Sequence, residues 1–374
     1  MPGFTRGELG LVGGAAGIVF TRVFGFSLVL SGFTRHAGQF TPDPVLVGTA
    51  LSAYGITLAL AQLPMGILSD RVGRKPVLVL GSLLFIAGSL WAAAAQDIGS
   101  LIAARLLQGL GGVASAALAA VGETVPEERR TTAMAIVGVP AGVGFLLGLV
   151  VGSQLEPVWG IPGLFVATAA LGVAALLPVV LLRWPPPRPL PPASGALSAP
   201  VLALGAAGLA TNFALTTVVF FLAGVPLGHG ALAAVLVGAF VLMAGASRAI
   251  DRSGQAPAAT AAALGLLAVG AAAFVGFDAA WAVAGGGLLF FAAHATLSAA
   301  LPSQVSRQAG RSGGRGHGLQ AVLAYAGTGA AGPVAGWAAA QGHPMWAVAA
   351  VGVLCAGAGW AVLAKVRTVS ARAG

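Results

Sequence analysis

Charge is what this sequence lacks most. Asp, Glu, Lys and Arg make up only 8% of its 374 residues, hydrophobic residues 57%, and the mean hydropathy is +0.93. A soluble surface is roughly 25–35% charged, so water is excluded as the solvent around most of this chain and lipid is expected instead. Acids are scarcer still. There are ten, and none stands mid-way along an apolar run: Asp43, Asp97, Glu156 and Asp278 fall at one set of connections, and Glu8, Asp70, Glu123, Glu127, Glu128 and Asp251 at the other. That pattern excludes the buried carboxylate of a cation exporter and the paired aspartates of an intramembrane enzyme.

Other absences narrow the chemistry further. The single cysteine, Cys355, lies in an apolar run, which excludes an internal disulfide and a Cys-cluster metal site. No H-E-x-x-H, G-x-S-x-G or G-x-x-x-x-G-K-[ST] segment occurs, so neither a hydrolase nor a nucleotide-driven pump is expected. No cofactor or metal is implied. The formal charge of +9 is spread singly or in twos and threes between apolar runs, without the continuous basic face that nucleic-acid binding needs.

What is present is a succession of apolar runs. Cutting the chain where charge, proline and turn residues interrupt stretches of about 20 residues yields two sets of six spans. The first set covers 9–33, 45–68, 76–95, 100–122, 131–155 and 162–182; the second covers 200–223, 231–250, 257–277, 279–301, 318–341 and 345–364. The first span is too long, and too poor in a cleavage site, for a signal peptide, so a retained helix is expected. With this count, one membrane face receives Arg6, Arg71, Arg74, Lys75, Arg129, Arg130, Arg183, Arg188 and the second-half cations, and the other receives only Arg35. The positive-inside rule makes the basic face cytoplasmic, together with both termini. Residues 184–199 are too rich in proline for a helix and read as a cytoplasmic linker between bundles at 1–183 and 200–374.

The halves also repeat at residue level. Asp70-Arg71-Val72-Gly73-Arg74-Lys75-Pro76 follows the second span, and Asp251-Arg252-Ser253-Gly254-Gln255-Ala256-Pro257 follows the eighth, 181 positions later. Gly152-Ser153 and Gly332-Pro333 stand 180 positions apart, almost the same offset. Parallel repeats of this kind occur in transporters whose halves rock about a central site.

The stretch Gly66-Ile67-Leu68-Ser69-Asp70-Arg71-Val72-Gly73-Arg74-Lys75-Pro76 resembles the signature loop between helices 2 and 3 of the major facilitator superfamily. Arg105-Leu106-Leu107-Gln108-Gly109-Leu110-Gly111 is similar to that superfamily's helix 4 motif, and Thr21-Arg22-Val23-Phe24-Gly25 to helix 1 of the YajR-type drug/proton antiporter branch. The resemblance is concentrated in the first half. It implies an all-α membrane fold of about twelve helices in two six-helix bundles related by a pseudo-two-fold axis. It also implies that Asp70 contacts the start of helix 11 and closes the cytoplasmic side, and that Glu123 pairs with a loop arginine, here Arg74. YajR-type members carry a soluble C-terminal domain, whereas this sequence stops shortly after its last span. Gly152-Ser153 replaces the branch's Gly-Pro pair in helix 5, and Ser31 stands where a proline is expected near the end of helix 1.

The residues themselves carry further expectations. Gly66 and Gly73 allow close backbone approach at a tight connection, and Arg71, Arg74 and Lys75 can reach the headgroups. Arg22 and Arg105 lie within apolar spans, where an unpaired guanidinium costs about 3 kcal/mol or more. Each is either a cavity charge for anionic groups or a proton site, or a clamp on backbone carbonyls. Tyr54, Gln62, Gln108, Asn212, Thr216, Thr217, His294 and Tyr325 can line a pathway; His294 suits a proton carrier and equally an interhelical hydrogen bond. Gly152, Gly332 and Pro333 mark close packing or a hinge.

The expected function is secondary transport by alternating access across the cytoplasmic (inner) membrane, as proton-coupled efflux of drug-like or metabolic compounds. Uptake of a small anion or nutrient is the alternative within that class, and a transporter-like sensor or scaffold the alternative outside it. The expected partners are a small-molecule substrate, membrane lipid and protons, with the chain acting as a monomer.

Overall fold

The computed structural model describes residues 4–112, 114–186, 198–253, 256–309 and 313–373, and all the regular structure there is helical. The helices are α1 (Arg6–Leu28), α2 (Phe33–Ala37), α3 (Pro44–Val72), α4 (Arg74–Ala93), α5 (Ile98–Leu110), α6 (Ala114–Thr124), α7 (Glu127–Leu181), α8 (Ala199–Phe221), α9 (His229–Ser253), α10 (Ala256–Gly276), α11 (Ala280–Ala309), α12 (Gly313–Ala340) and α13 (Pro344–Ala373). Among the described residues, eight helical stretches are long and apolar enough to cross a bilayer. One of these, Val143–Leu181, is 39 residues long, enough to cross nearly twice at 1.5 Å per residue.

Each of the twelve expected spans is occupied by helix, with three differences that have local causes. The first helix stops at Leu28, and the short α2 completes that crossing. The fourth span, expected to be continuous, is broken between α5 and α6 around Gly111 and Gly112. There the backbones are too close for side chains: a Cβ on Gly111 would meet the backbone of Gly81 and Phe85, and one on Gly112 the Leu58 side chain. The fifth and sixth spans run together as α7, redirected at Gly160, whose φ of 62° and ψ of 173° suit glycine. Pro162 then begins the sixth helix where a missing N–H is tolerated.

Helix starts follow from their capping residues. Thr5 and Glu8 form a reciprocal capping box at α1, and the Asp43 and Asp97 carboxylates accept backbone N–H bonds at the starts of α3 and α5. Within each half the crossings pack on one another, except that α3 packs most extensively on α12 of the second half. Two seams join the halves, α3 against α12 and α7 against α9, and each half contributes one long helix to each seam. Of the expected linker, residues 187–197 lie outside the described residues, as do the side chains of Asp251, Arg252 and Gln255 in the second copy of the loop pattern.

Candidate transport site and gate

The α3–α4 connection marks one membrane face, the loop side. Gly73 makes the turn with φ 97°, a conformation that L side chains rarely adopt, and its N–H closes the last turn of α3 on the Ser69 carbonyl. That turn points Arg74 into the first half, where it is 4% exposed. Its Nη1 donates to Ser69 Oγ at 2.8 Å and pairs with Asp70 Oδ1 at 2.6 Å, while Nη2 and Nε reach the Glu123 carboxylate at the end of α6. Nearby, Lys75 Nζ donates to the Val180 carbonyl at 2.8 Å, and Arg129 Nη1 pairs with Glu8 Oε2 at 3.0 Å. These bonds tie the loop-side ends of the second, third, fourth and sixth crossings together, and separately those of the first and fifth. Asp70 is thus paired inside its own half. Arg71 is exposed, and a Cβ on Gly66 would meet nothing within 4 Å, so the close approach expected at Gly66 is absent.

The opposite face is closed. Along the first four turns of α3, Gly48, Ser52 and Gly55 present one small-residue face to Thr328, Gly329, Gly332 and Gly336 of α12. A Cβ on Gly48 would strike the Gly332 backbone, and one on Gly336 the Pro44 backbone. Ser52 Oγ donates to the Thr328 carbonyl at 2.6 Å and accepts the Gly332 N–H at 2.8 Å, so one hydroxyl bridges an i, i+4 pair of the other half. Pro333 removes the next N–H and loosens the ladder there. Toward the loop side Leu63 on the same face of α3 is 68% exposed, and among the described residues nothing lies within 4 Å of where a Cβ would be on Gly66 or, on α12, on Gly318. Among the described residues the close contact of α3 with α12 is on the far side, and none of that kind is found on the loop side.

Just inside the seal lies a buried aromatic and cationic cluster. Tyr54, Leu58 and Phe85 form a buried cluster with Phe26 and, from the second half, Tyr325 packed against it. Phe26 stacks on Tyr54 with ring centroids 4.6 Å apart. Arg105 is fully buried, its Cζ 5.1–5.9 Å from the ring centroids of Phe26, Phe33, Tyr54 and Phe165. Its Nη1 donates to Gln108 Oε1 at 2.5 Å, and Gln108 Nε2 donates to Ser89 Oγ at 2.8 Å. Arg22 lies over Phe85, its Cζ 4.3 Å from the centroid, with Nη1 donating to the Gly111 carbonyl at 2.8 Å and Nη2 to Ser82 Oγ at 3.1 Å. Arg22 therefore satisfies a backbone carbonyl that the break in the fourth span leaves without a helical donor.

In the second half, His294 is buried between Phe290, stacked at 6.4 Å, and Phe145 of the first half at 5.5 Å. Its Nε2 is 3.4 Å from Ser298 Oγ, and no hydrogen-bond partner of Nδ1 is found among the described residues. Asn212 uses its Nδ2 on the Gly208 carbonyl of its own helix at 3.0 Å. Among the described residues no group of three His, Cys, Asp or Glu side chains could hold a metal.

The profile of the Major Facilitator Superfamily matches residues 15–333. The chain belongs to that superfamily. The Escherichia coli K12 inner membrane transport protein YajR is 36% identical over 189 residues, covering 50% of this chain and 40% of YajR. The Salmonella paratyphi B multidrug resistance protein MdtL is 30% identical over 179 residues, covering 47% of this chain and 45% of MdtL. The chain thus aligns with less than half the length of each of these relatives. Among solved structures, the human organic anion transporter MFSD10 superposes with a TM-score of 0.67 over 96% of this chain and 99% of that one, at 19% identity, a likeness of fold. A multi-pass membrane transporter of this superfamily is not an enzyme.

Within the superfamily fold, the sequence-derived residues fall into three groups. Asp70, Arg74 and Glu123 meet at the loop side. Arg22, Tyr54, Arg105 and Gln108 are buried in the first half, Arg105 facing the Tyr54 ring and bonded to Gln108, while Asn212 and His294 stand on α8 and α11 of the second half. Gly332 and Pro333 belong to the seal, whereas Gly152 packs within the first half, where a Cβ would strike the Leu28 carbonyl. Sequence reasoning passed over Ser52, Thr328, Ser82, Phe26 and Phe85. The spacing of Gly48, Ser52 and Gly55, a small-residue stripe on one helix face, was the signal for the first; the aromatic residues offered none, since apolar spans are full of them.

Proposed function

We propose that this protein is a secondary active transporter that exports small amphipathic solutes across the cytoplasmic membrane by alternating access, with protons as the coupling ion. The observation that carries the reading is the asymmetric interface, sealed through Ser52, Thr328 and Gly332 on one side and parted at Leu63, Gly66 and Gly318 on the other. Rocking of two compact bundles, with boundaries at 1–183 and 200–374 and a linker at 184–199, would exchange the two. The cation asymmetry of the sequence supports a cytoplasmic loop side with both termini there, so this conformation faces inward. On this reading Asp70 leaves its present partner and meets the start of α12 when the protein faces outward.

Export is supported by the printed names of MdtL and of the Yersinia enterocolitica putative multidrug resistance protein MdtD, 29% identical over 165 residues. For the proton, the candidate carrier is His294, a buried titratable group whose ring packs on Phe145 of the other half. Purified protein in liposomes, loaded with a neutral amphipathic dye, tests the reading. Dye efflux that accelerates when the external medium is made acidic is expected for vesicles whose lumen meets the cytoplasmic side, because protons then enter as dye leaves, and efflux indifferent to a pH gradient would remove the proton from the mechanism.

A further inference from the structure

The placement of charge in the membrane interior is lopsided. Nearly every described carboxylate is already engaged at a membrane face: Asp70 and Glu123 with Arg74, Glu8 with Arg129, Glu156 with Arg35, and Asp43 and Asp97 as helix caps. Asp278 is exposed in the connection before α11. None of these reaches Arg22 or Arg105, and among the described residues Arg22 Nε and Arg105 Nε and Nη2 have no hydrogen-bond acceptor. Ring faces compensate a buried guanidinium only in part. The other buried side-chain atoms without a hydrogen-bond partner among the described residues are the hydroxyls of Ser31 and Thr217, a ring nitrogen each of His36 and His294, Gln62 Oε1, and Oε2 of Glu156, whose other oxygen pairs with Arg35. The interior offers two cations and an excess of donors, with nothing anionic to balance them.

Tyr54 and Tyr325 are the only tyrosines in the sequence. One comes from each half, they share an apolar cluster just inside the seal, and the Tyr54 phenol lies within electrostatic reach of Arg22, Arg105 and Tyr325. We infer that an aromatic organic anion binds against this cluster, at the edge formed by the half-buried Phe26 and Tyr325. Its anionic head takes hydrogen bonds from the two phenols and is balanced by the Arg22 and Arg105 guanidiniums behind Tyr54. Its ring packs beside Phe26 and Phe85 on the loop side of the seal. The inference rests on the transport reading and names the solute class that the reading leaves open. A cation of the same shape meets two like charges there, and a neutral isostere gains no balancing charge.

Three isosteric probes test it on the full chain: 4-toluenesulfonate, 4-toluenesulfonamide and benzyltrimethylammonium. Binding to detergent-purified protein by calorimetry is expected for the sulfonate at least ten-fold more tightly than for the other two. Tyr54→Phe and Tyr325→Phe, which keep the rings and their packing, are each expected to weaken sulfonate binding about five-fold and leave the sulfonamide unchanged, the loss of one hydrogen bond to a charged group. Arg105→Gln is expected to abolish the preference for the anion; should that variant fail to fold, the tyrosine variants carry the test. Equal binding of all three probes, preference for the cation, or no binding of the sulfonate would overturn the inference. Sulfonate binding without counterflow in proteoliposomes would keep the anion site and remove the transport reading instead.

Discussion

Arg74 shows how one side chain organises a membrane face. Its guanidinium is shared between Ser69, Asp70 and Glu123, the last on a different helix, and burial to 4% exposure keeps water from replacing those partners. Removing one member of a buried, hydrogen-bonded charge group costs about 2–5 kcal/mol, and because Asp70 and Glu123 remain partly hydrated the low end applies. Arg74→Gln is therefore expected to lower the thermal unfolding temperature in detergent measurably, whereas Arg71→Gln, at an exposed position, leaves it unchanged. Arg22 acts on the backbone. Its bond to the Gly111 carbonyl caps the interrupted fourth span, and stranding a buried carbonyl costs about 1–3 kcal/mol. Arg22→Leu is expected to destabilise the first half, seen as faster hydrogen exchange in 105–118, and Arg22→Lys to recover part of the protection.

Between elements, close approach depends on glycine. The α3/α12 seam brings the backbones together at Gly48 and Gly332, with the Ser52 hydroxyl bridging Thr328 and Gly332. Gly48→Val or Gly332→Val cannot be accommodated without parting the helices, so each variant is expected to disfavour the sealed state. With Cys355 replaced by Ser, a cysteine at Leu63 then reacts several-fold more slowly with a maleimide, because a protein biased toward the other state covers the loop side. Ser52→Ala keeps the packing and removes two hydrogen bonds, and is expected to shift the same reactivity in the same direction by a smaller factor. Unchanged labelling in all three variants would show that this seam does not govern the equilibrium. The break between α5 and α6 obeys a related rule. Gly109, Gly111 and Gly112 let the fourth span press on Tyr54, Gly81 and Leu58, and a continuous helix there would drive side chains into those backbones.

At the scale of the whole molecule, two bundles meet along the α3/α12 and α7/α9 seams, and among the described residues the closest backbone approach is in the far-side half of the α3/α12 seam. Spin labels at Leu63 and Gly318 are expected to report a broad, long separation that shortens as the protein turns outward, while labels at Val45 and Trp337 move the opposite way. Distances that rise and fall together would contradict rocking.

What the sequence determined by itself was the material and its periodicity. Scarce charge and twelve apolar runs dictated a lipid-embedded helical protein, and the repeated Asp-Arg-x-Gly pattern and the cation asymmetry disclosed two parallel halves. Local chemistry at the α3–α4 connection was also legible for Gly73, Asp70 and Arg74, which lie within five positions of one another, whereas the pairing of Arg74 with Glu123, 49 positions away, was implied only by the family resemblance. Tertiary structure alone decided what lies across helices. Ser52 bridges to residues 276 and 280 positions away, Arg22 reaches a carbonyl 89 positions away, and Tyr54 gathers with Phe26, Phe85 and Tyr325. Inside a bilayer the apolar pattern runs all round each helix, so hydropathy cannot say which face meets a neighbour. That choice is made by small residues and by polar groups seeking partners, and it becomes visible only when the helices are assembled.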